Sequence, residues 1–480
     1  MARVPIDTTQ PGSPGWWLER LGRQLHIERN GTTEKAGLDK LWRYYEGRCD
    51  LPEGAEGCRD AYLAFQRKAR GNFAELVTDA VGDRMTLTGF RTGAEGDENG
   101  DLEARRLWKA NGLRVGSTDL HTWMLAMGKA YAIVGGPSEE TSGYPVVTVE
   151  DPRQVITAHD PRLPGRVRMA LKLFVDEWTG RDVAYLYQPD GWVLVAERKS
   201  NDGNPLHFAT SPTFAADGWE WATARFGQLP VKAMPVVRFR NKGGMGEFEP
   251  HLDVLDRINF VVLQRLVIAA IQAFKQRGVI GDLPDTDDEG NDIDYSAIFR
   301  PGPGALWKLP EGASIWESGQ VDLNGILKAA EDDIKHLAAV TRTPLYFISP
   351  DAANGSAEGA STQREGLVFK SEDRINRAAD SWAQLMSLAF RFKGDEARAR
   401  LLDLEAVFAP AERHSLAERA DAASKLNGVM PWRHLMADVM GFPPDMVREM
   451  AAERTSDLLL STLAEPVTPA APPVTDVRPA

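Results

Sequence analysis

Cysteine is nearly absent: Cys49 and Cys58 are the only two in 480 residues. That excludes a disulfide framework, and with no Cys-x-x-Cys or flanking His pair a structural zinc site is not expected. Two free thiols suit a reducing cytosol. Long apolar runs are missing too. The most apolar stretch, Phe260 to Phe274, is interrupted by Gln264, Arg265 and Gln272, and it falls short of the ~20 residues a membrane-spanning helix needs. The opening residues, MARVPIDTTQPGSPGWW, lack the charged start and apolar core of a signal peptide. Positive charge is in deficit, with 56 Lys and Arg against 69 Asp and Glu, a net −13. A dedicated nucleic-acid clamp carries a basic domain, because phosphate neutralisation supplies most of its affinity. The chain as a whole does not fit that class, although a local basic stripe remains compatible. The expected setting is a soluble protein made in a cytoplasm, with no membrane partner.

The motifs of common catalytic chemistries are also missing. An ATP-driven motor needs a Gly-rich loop, a Lys on the phosphates and a Ser or Thr on magnesium. Gly128-Lys129-Ala130 lacks both the hydroxyl and the upstream glycine. Arg240-Asn241-Lys242-Gly243-Gly244-Met245-Gly246 joins a predicted strand to a predicted helix, where a phosphate site is conceivable. Its spacing matches no phosphate fingerprint, and a plain strand-to-helix turn is the simpler reading. Asp285-Thr286-Asp287-Asp288-Glu289-Gly290 resembles the start of a calcium loop, but Ser296 stands where the bidentate Glu belongs. There is no His-Glu-x-x-His and no Gly-x-Ser-x-Gly. No catalytic residue, metal ligand or cofactor is expected.

What is present is a globular composition, 43% apolar and 26% charged, on a chain long enough for several compact units. The first 130 residues read as helices. Leu38, Leu41, Trp42 and Tyr45 recur at helical spacing, and Phe73, Leu76, Val77, Ala80 and Val81 do so after Asn72, a helix-capping residue. Asp101 can cap a third helix with Leu107 and Trp108, and Leu120, Trp123, Met124 and Met127 stripe a fourth. From about Ala130 to Asn241 the period changes to two, with a hairpin turn at Pro189-Asp190-Gly191. The class is therefore α+β with a mostly antiparallel sheet.

A long helix is expected from Glu247 to Arg277. From Ile258 to Phe274 it is apolar on nearly every face, so it must be buried all round, in one domain's core or between subunits. Residues 278–321 then hold nine acidic and two basic side chains, a net −7 of the total −13, in loops and small strands. The acidic cluster is Asp282, Asp285, Asp287, Asp288, Glu289, Asp292 and Asp294. A second long helix spans Asp322 to Arg342. Leu323, Leu327, Ala330, Ile334 and Leu337 form a single narrow seam along it, and Pro344 stops it. A third runs from about Ser361 to Phe392. Further helices follow before a proline-rich tail whose composition suits disorder. On the third helix Lys370, Arg374 and Arg377 share a face, with Arg364 a turn or two earlier. This stripe is either a solvated face paired with Glu365, Glu372 and Asp373 or a weak, sequence-blind contact to a phosphate backbone.

The order of these parts resembles the portal protein of siphophage-type tailed bacteriophages, over residues 16–460. WRYYEGRCDLP (42–52), NFAELVTDAVGDRMTLTGFR (72–91), LWKANGL (107–113) and GKAYAIVG (128–135) resemble family segments. MPVVRFRNKGGMGEFEPHLDVLDRIN (234–259), with Asp256 and Asn259, is similar to the turn that opens the family's central helix. TRTPLYFI (341–348) followed by GASTQREGLVFK (359–370) resembles the segment between its two channel helices.

The resemblance implies a portal fold. Its parts would be a wing (1–249), stem helices (250–277 and 322–343), a small α/β clip (278–321), a tunnel loop (344–362), a long wing helix (363–409), a helical crown (410–464) and a tail (465–480). It implies a non-enzymatic ring, usually a dodecamer, at one capsid vertex of the virion, synthesised in a bacterial host. Double-stranded DNA would pass through the ring. Terminase, then a head-completion or tail connector protein, would dock on it, beside major capsid and scaffolding proteins. Arg364, Lys370, Arg374 and Arg377 would be the candidates to face DNA. On that view, reversing Lys370 and Arg374 to Glu would spare ring formation and lower packaged DNA. The alternatives are a helical capsid-associated adaptor without a channel, or a nucleic-acid-processing enzyme.

Overall fold

Ser13 opens the first helix: its hydroxyl accepts from the Trp16 N–H, and Pro14 occupies the first turn, where no backbone donor is needed. Helix α1 (Pro14–Asn30) then presents Leu18, Leu21 and Leu25, all fully buried, to one face of a sheet. The computed structural model describes residues 3–52, 60–94, 100–199, 214–273, 277–281, 286, 290, 292–294, 314–317, 319, 323–348 and 357–463.

That sheet is seven-stranded and antiparallel. Strand β1 (Arg3–Pro5) pairs with β9 (Trp219–Ala222). From there the order runs through β8 (Trp192–Arg198), β7 (Arg181–Tyr187) and β6 (Val167–Asp176) to β5 (Val155–His159), with β10 (Gly227–Gln228) also on β8. The expected hairpin lies between β7 and β8, where Gly191 takes φ 82°, a conformation its missing Cβ permits. Leu171, Leu173, Ala184, Leu186 and Leu194 meet the three leucines of α1.

A second sheet orders β11 (Val236–Arg240), β3 (Lys129–Pro137) and β4 (Pro145–Glu150), again antiparallel. Helices α2 (Leu38–Tyr45), α3 (Asp60–Lys68), α4 (Phe73–Gly82), α5 (Leu102–Ala110) and α6 (Leu113–Met127) precede it. Four of these stand where the spacing predicts and α3 is additional; α6 packs on the sheet, and α3 on the long helix Leu252–Ala273. Asn72 caps α4, and Asp101 caps α5 by accepting from the Ala104 N–H at 2.8 Å.

The first two long helices start later than the pattern suggests. Helix α7 covers Leu252–Ala273 and is followed by strand β12 (Arg277–Ile280), which pairs with β13 (Ser314–Glu317). Helix α8 covers Asn324–Thr341 and lies along α7. Helix α9, Ala357–Lys393, is longer than expected and supplies Leu367, Ala378, Trp382, Leu385, Met386, Ala389 and Phe390 to the largest core. Strand β14 (Glu405–Phe408) pairs with β2 (Leu87–Arg91), closing a contact 314 residues apart in sequence. Helices α10 (Leu416–Leu426), α11 (Trp432–His434) and α12 (Pro444–Leu463) end the described chain. Among the described residues no helix is long and apolar enough to cross a membrane.

Candidate nucleic-acid and assembly site

The basic stripe of α9 begins at Arg364, which is exposed near the helix N-terminus. Lys370 and Arg374 are not on the surface at all. They are 7% and 9% exposed, and both reach Glu247, which lies in the turn between β11 and α7. Lys370 Nζ sits 2.8 Å from Glu247 Oε2 and also donates to the Thr341 carbonyl at the end of α8, at 3.0 Å. Arg374 grips the same carboxylate through Nε (2.7 Å) and Nη2 (3.2 Å). The expectation that these two cations face DNA is therefore corrected. Their charge is consumed inside the protomer by a carboxylate far away in sequence. Arg377 is half-exposed and held by Asp373 through two contacts of 3.0 and 3.2 Å.

Glu247 is the centre of a buried polar junction. Asn241, 1% exposed, donates from one side-chain nitrogen to Glu247 Oε1 (2.9 Å) and to the Met245 carbonyl (2.8 Å). The Glu247 N–H donates to the Leu125 carbonyl in α6. Burial alone would raise the Glu247 carboxyl, but Lys370 and Arg374 outweigh it and hold it below its usual range. Asn241 after β11 and Lys370 and Arg374 of α9 thus converge on this carboxylate, the Glu247 backbone is tied to α6, and Lys370 brings in the end of α8.

The glycines of this turn serve packing. A Cβ on Gly246 would stand 2.1 Å from the Ala126 carbonyl oxygen, so only glycine lets the turn lie against the end of α6. That excludes the phosphate-loop reading of 240–246 at this glycine, since the backbone it exposes is already occupied by protein.

Asp256 and Asn259 on α7 hold the N-terminal helices. Tyr44 donates to Asp256 Oδ1 at 2.7 Å. Asn259, 2% exposed, accepts from the Gly71 N–H at 2.9 Å and donates to the Cys49 sulfur at 3.3 Å. Burial raises the Asp256 carboxyl, with the Tyr44 hydrogen bond working against it.

The seam of α8 is only partly covered in the single chain. Leu337 and Ala330 are buried, Ile334 and Leu323 are half-buried, and Leu327 is exposed. Arg257 of α7 bridges to Asp333 of α8 at 2.8 Å. Of the acidic cluster, Asp292 and Asp294 are exposed. Asp282, Asp285, Asp287, Asp288 and Glu289 lie outside the described residues.

The sequence pattern does not reveal a cationic cleft of about 610 Å³ further along α9, beginning at Arg377. Arg377 and Arg391 contribute from the helix, Arg238 and Arg240 from β11, and Arg166 and Lys232 from neighbouring loops. Strand alternation placing Arg238 and Arg240 on one face of β11 was its one legible sign.

Comparison with known proteins decides the family. Residues 24–457 match the family model described as phage portal protein, SPP1 Gp6-like. The chain belongs to that portal protein family. It is 26% identical over 435 residues to the portal protein of Mycobacterium phage D29, covering 84% of each chain. The portal protein of Mycobacterium phage L5 is likewise 26% identical over 437 residues, covering 85% of this chain and 84% of that one. A solved chain from the neck of an empty GTA particle computed with C6 symmetry aligns over 82% of this chain and 96% of that chain, with a TM-score of 0.46 at 13% identity.

Phage portal proteins are structural components of the virion and of its head-to-tail connection. The portal match takes in the Glu247 junction, both long helices and α9, and leaves β1 outside it. The two portal-like segments noted in the sequence, 234–259 and 359–370, touch each other through Glu247 and Lys370. Asn259→Ala removes both bonds of that side chain and leaves the half-buried Gly71 N–H without its partner. We expect a loss of ~1–3 kcal/mol, read as a lower denaturation midpoint, with Asn259→Asp recovering part of it because its Oδ1 still accepts.

Proposed function

We propose that this chain assembles as a ring, with twelve copies as the expected number, around an axial passage for double-stranded DNA. The single observation that carries this reading is the portal family match over residues 24–457. In this reading residues 1–249 and 363–409 form the wing, 250–277 and 322–343 the stem, 278–321 the clip, 344–362 the tunnel loop and 410–464 the crown. The clip would receive terminase and later the tail connector. Residues 349–356 of the loop lie outside the described residues.

The surface of the stem supports assembly. In the single chain Phe260 is 40% exposed, and Val261, Val262, Leu266, Val267 and Ile268 are only half-covered. An apolar helix left in that state gains burial when a neighbouring copy packs against it. Arg364 is the member of the basic stripe that stays available to DNA. The acid excess of the chain suits a passage through which a polyanion must slide, since many phosphate contacts would arrest it.

Negative-stain electron microscopy of the purified protein tests the ring. Closed rings with a central hole are expected at assembly-promoting salt. A homogeneous monomer at every salt and protein concentration would overturn the reading in favour of a capsid-associated adaptor.

A further inference from the structure

The cleft beside α9 is electrostatically unbalanced in the single chain. Six cationic side chains line it, Arg166, Lys232, Arg238, Arg240, Arg377 and Arg391, against one carboxylate, Asp380. Arg377 has Asp373. Among the described residues, no carboxylate forms an ion pair with any of the other five, in a chain whose net charge is −13.

Arg238 is the informative member because it is only partly exposed. Burial lowers the proton affinity of its guanidinium, and the neighbouring Arg240 lowers it further, while Tyr131 and Glu28 oppose this. His159 lines the same cleft, and its buried Nδ1 has no hydrogen-bond partner. Burial and the charge of Arg238 hold that imidazole neutral, down to about 4. A half-buried guanidinium facing like charges is costly unless an anion arrives from outside.

We infer that the cleft is an inter-subunit clasp, filled by carboxylate side chains of a second copy of this chain. A carboxylate on a single side chain is slim enough to reach Arg238. The phosphates of a duplex lie on a convex surface and would reach only the exposed cations. A second copy carries the acid excess needed for charge complementarity. Head-to-tail contacts in a closed ring join two different surfaces, so a cationic face need not complement itself. Arginine also suits such a joint, because its rigid fork binds carboxylates bidentately and is weakly hydrated. The inference rests on the ring reading and adds to it a surface and a salt dependence.

The test measures the protomer concentration for half-assembly by sedimentation and negative stain, at low and at molar salt. Arg238→Glu with Arg240→Glu is expected to raise it by about 100-fold, the scale of losing a desolvated interfacial charge pair. Arg238→Lys with Arg240→Lys keeps the charge and should fall between that variant and wild type. Lys232→Glu with Arg391→Glu changes exposed side chains only, so it tests the same idea without risk to the sheet, and circular dichroism confirms folding of each. Wild-type rings together with unimpaired rings from both reversals would overturn the clasp alone. Intact rings with weakened binding of a fluorescent duplex would overturn it too, and assign the cleft to DNA phosphate. A wild type that never forms rings would overturn the ring reading and the clasp with it.

Discussion

Glu247→Ala is expected to be among the most destabilising single substitutions in this chain. It leaves the Lys370 ammonium buried without an acid and the Arg374 guanidinium with only its 2.7 Å pair to Asp373. Breaking a buried pair by removing one partner costs ~3–5 kcal/mol, because the charge left behind remains desolvated. The measurement is a shift in denaturation midpoint, with the ties of α9 to the turn before α7 and, through Lys370, to the end of α8 loosening together. Replacing the set at once, Glu247→Leu with Lys370→Met and Arg374→Leu, should recover most of the loss, as buried ion sets exchanged for apolar groups often do. The same geometry reverses an expectation from the sequence. Lys370→Glu with Arg374→Glu would bury three carboxylates together, so the variant should fail to fold before any effect on packaged DNA can be read. The pH dependence follows in sign. A carboxyl held below its usual value adds stability that is complete above pH 4.5, its ordinary value, and is lost as pH falls through the lower folded value. A Glu247→Ala protein as stable as wild type at neutral pH would refute the role assigned to the junction.

The contrast between Lys370 and Asn72 shows what the sequence can and cannot carry. Asn72 caps a helix three residues away, so its partner is local and the pattern alone locates it. The same holds for Asp101, for the turn at Gly191 and for the period-two strands, whose spacing registers which side chains share a face. Spacing also placed Lys370, Arg374 and Arg377 on one face of a helix correctly. It could not say what covers that face, because Glu247 lies 127 residues before Arg374. The pairings β1 with β9 and β14 with β2 were missed for the same reason. Strands of three to five residues carry no local mark of a partner hundreds of positions away. Helix α1 was legible in principle, through Ser13-Pro14 and the spacing of Leu18, Leu21 and Leu25. The resemblance carried more of the function than any single motif. Asp256 and Asn259 stood in the most portal-like segment, and the structure gives them a physical task, anchoring the N-terminal helices to α7.

Trp382 and His121 make the second large effect. The Trp382 ring is fully buried among Trp108, Phe239 and His121, with ring centroids 4.9, 4.9 and 6.0 Å away. Its indole N–H donates to His121 Nε2 at 2.9 Å. An indole can only donate, so His121 Nε2 must be the unprotonated nitrogen. Trp382→Ala should cost ~3–5 kcal/mol through the cavity it leaves where α9 crosses the sheet. Trp382→Phe keeps most of the volume but leaves Nε2 buried without a donor, at ~1–3 kcal/mol. Burial holds His121 neutral down to about 4. Below pH 6.5 the unfolded chain takes up a proton at this residue while the folded chain does not, so stability falls as pH drops from 6.5 to about 4 and levels off below. The shift corresponds to ~3 kcal/mol across that window. His121→Gln replaces the imidazole with a side chain that does not titrate, so this part of the slope should vanish in that variant. Equal slopes for wild type and His121→Gln between pH 6.5 and 4 would show that His121 is not the group responsible.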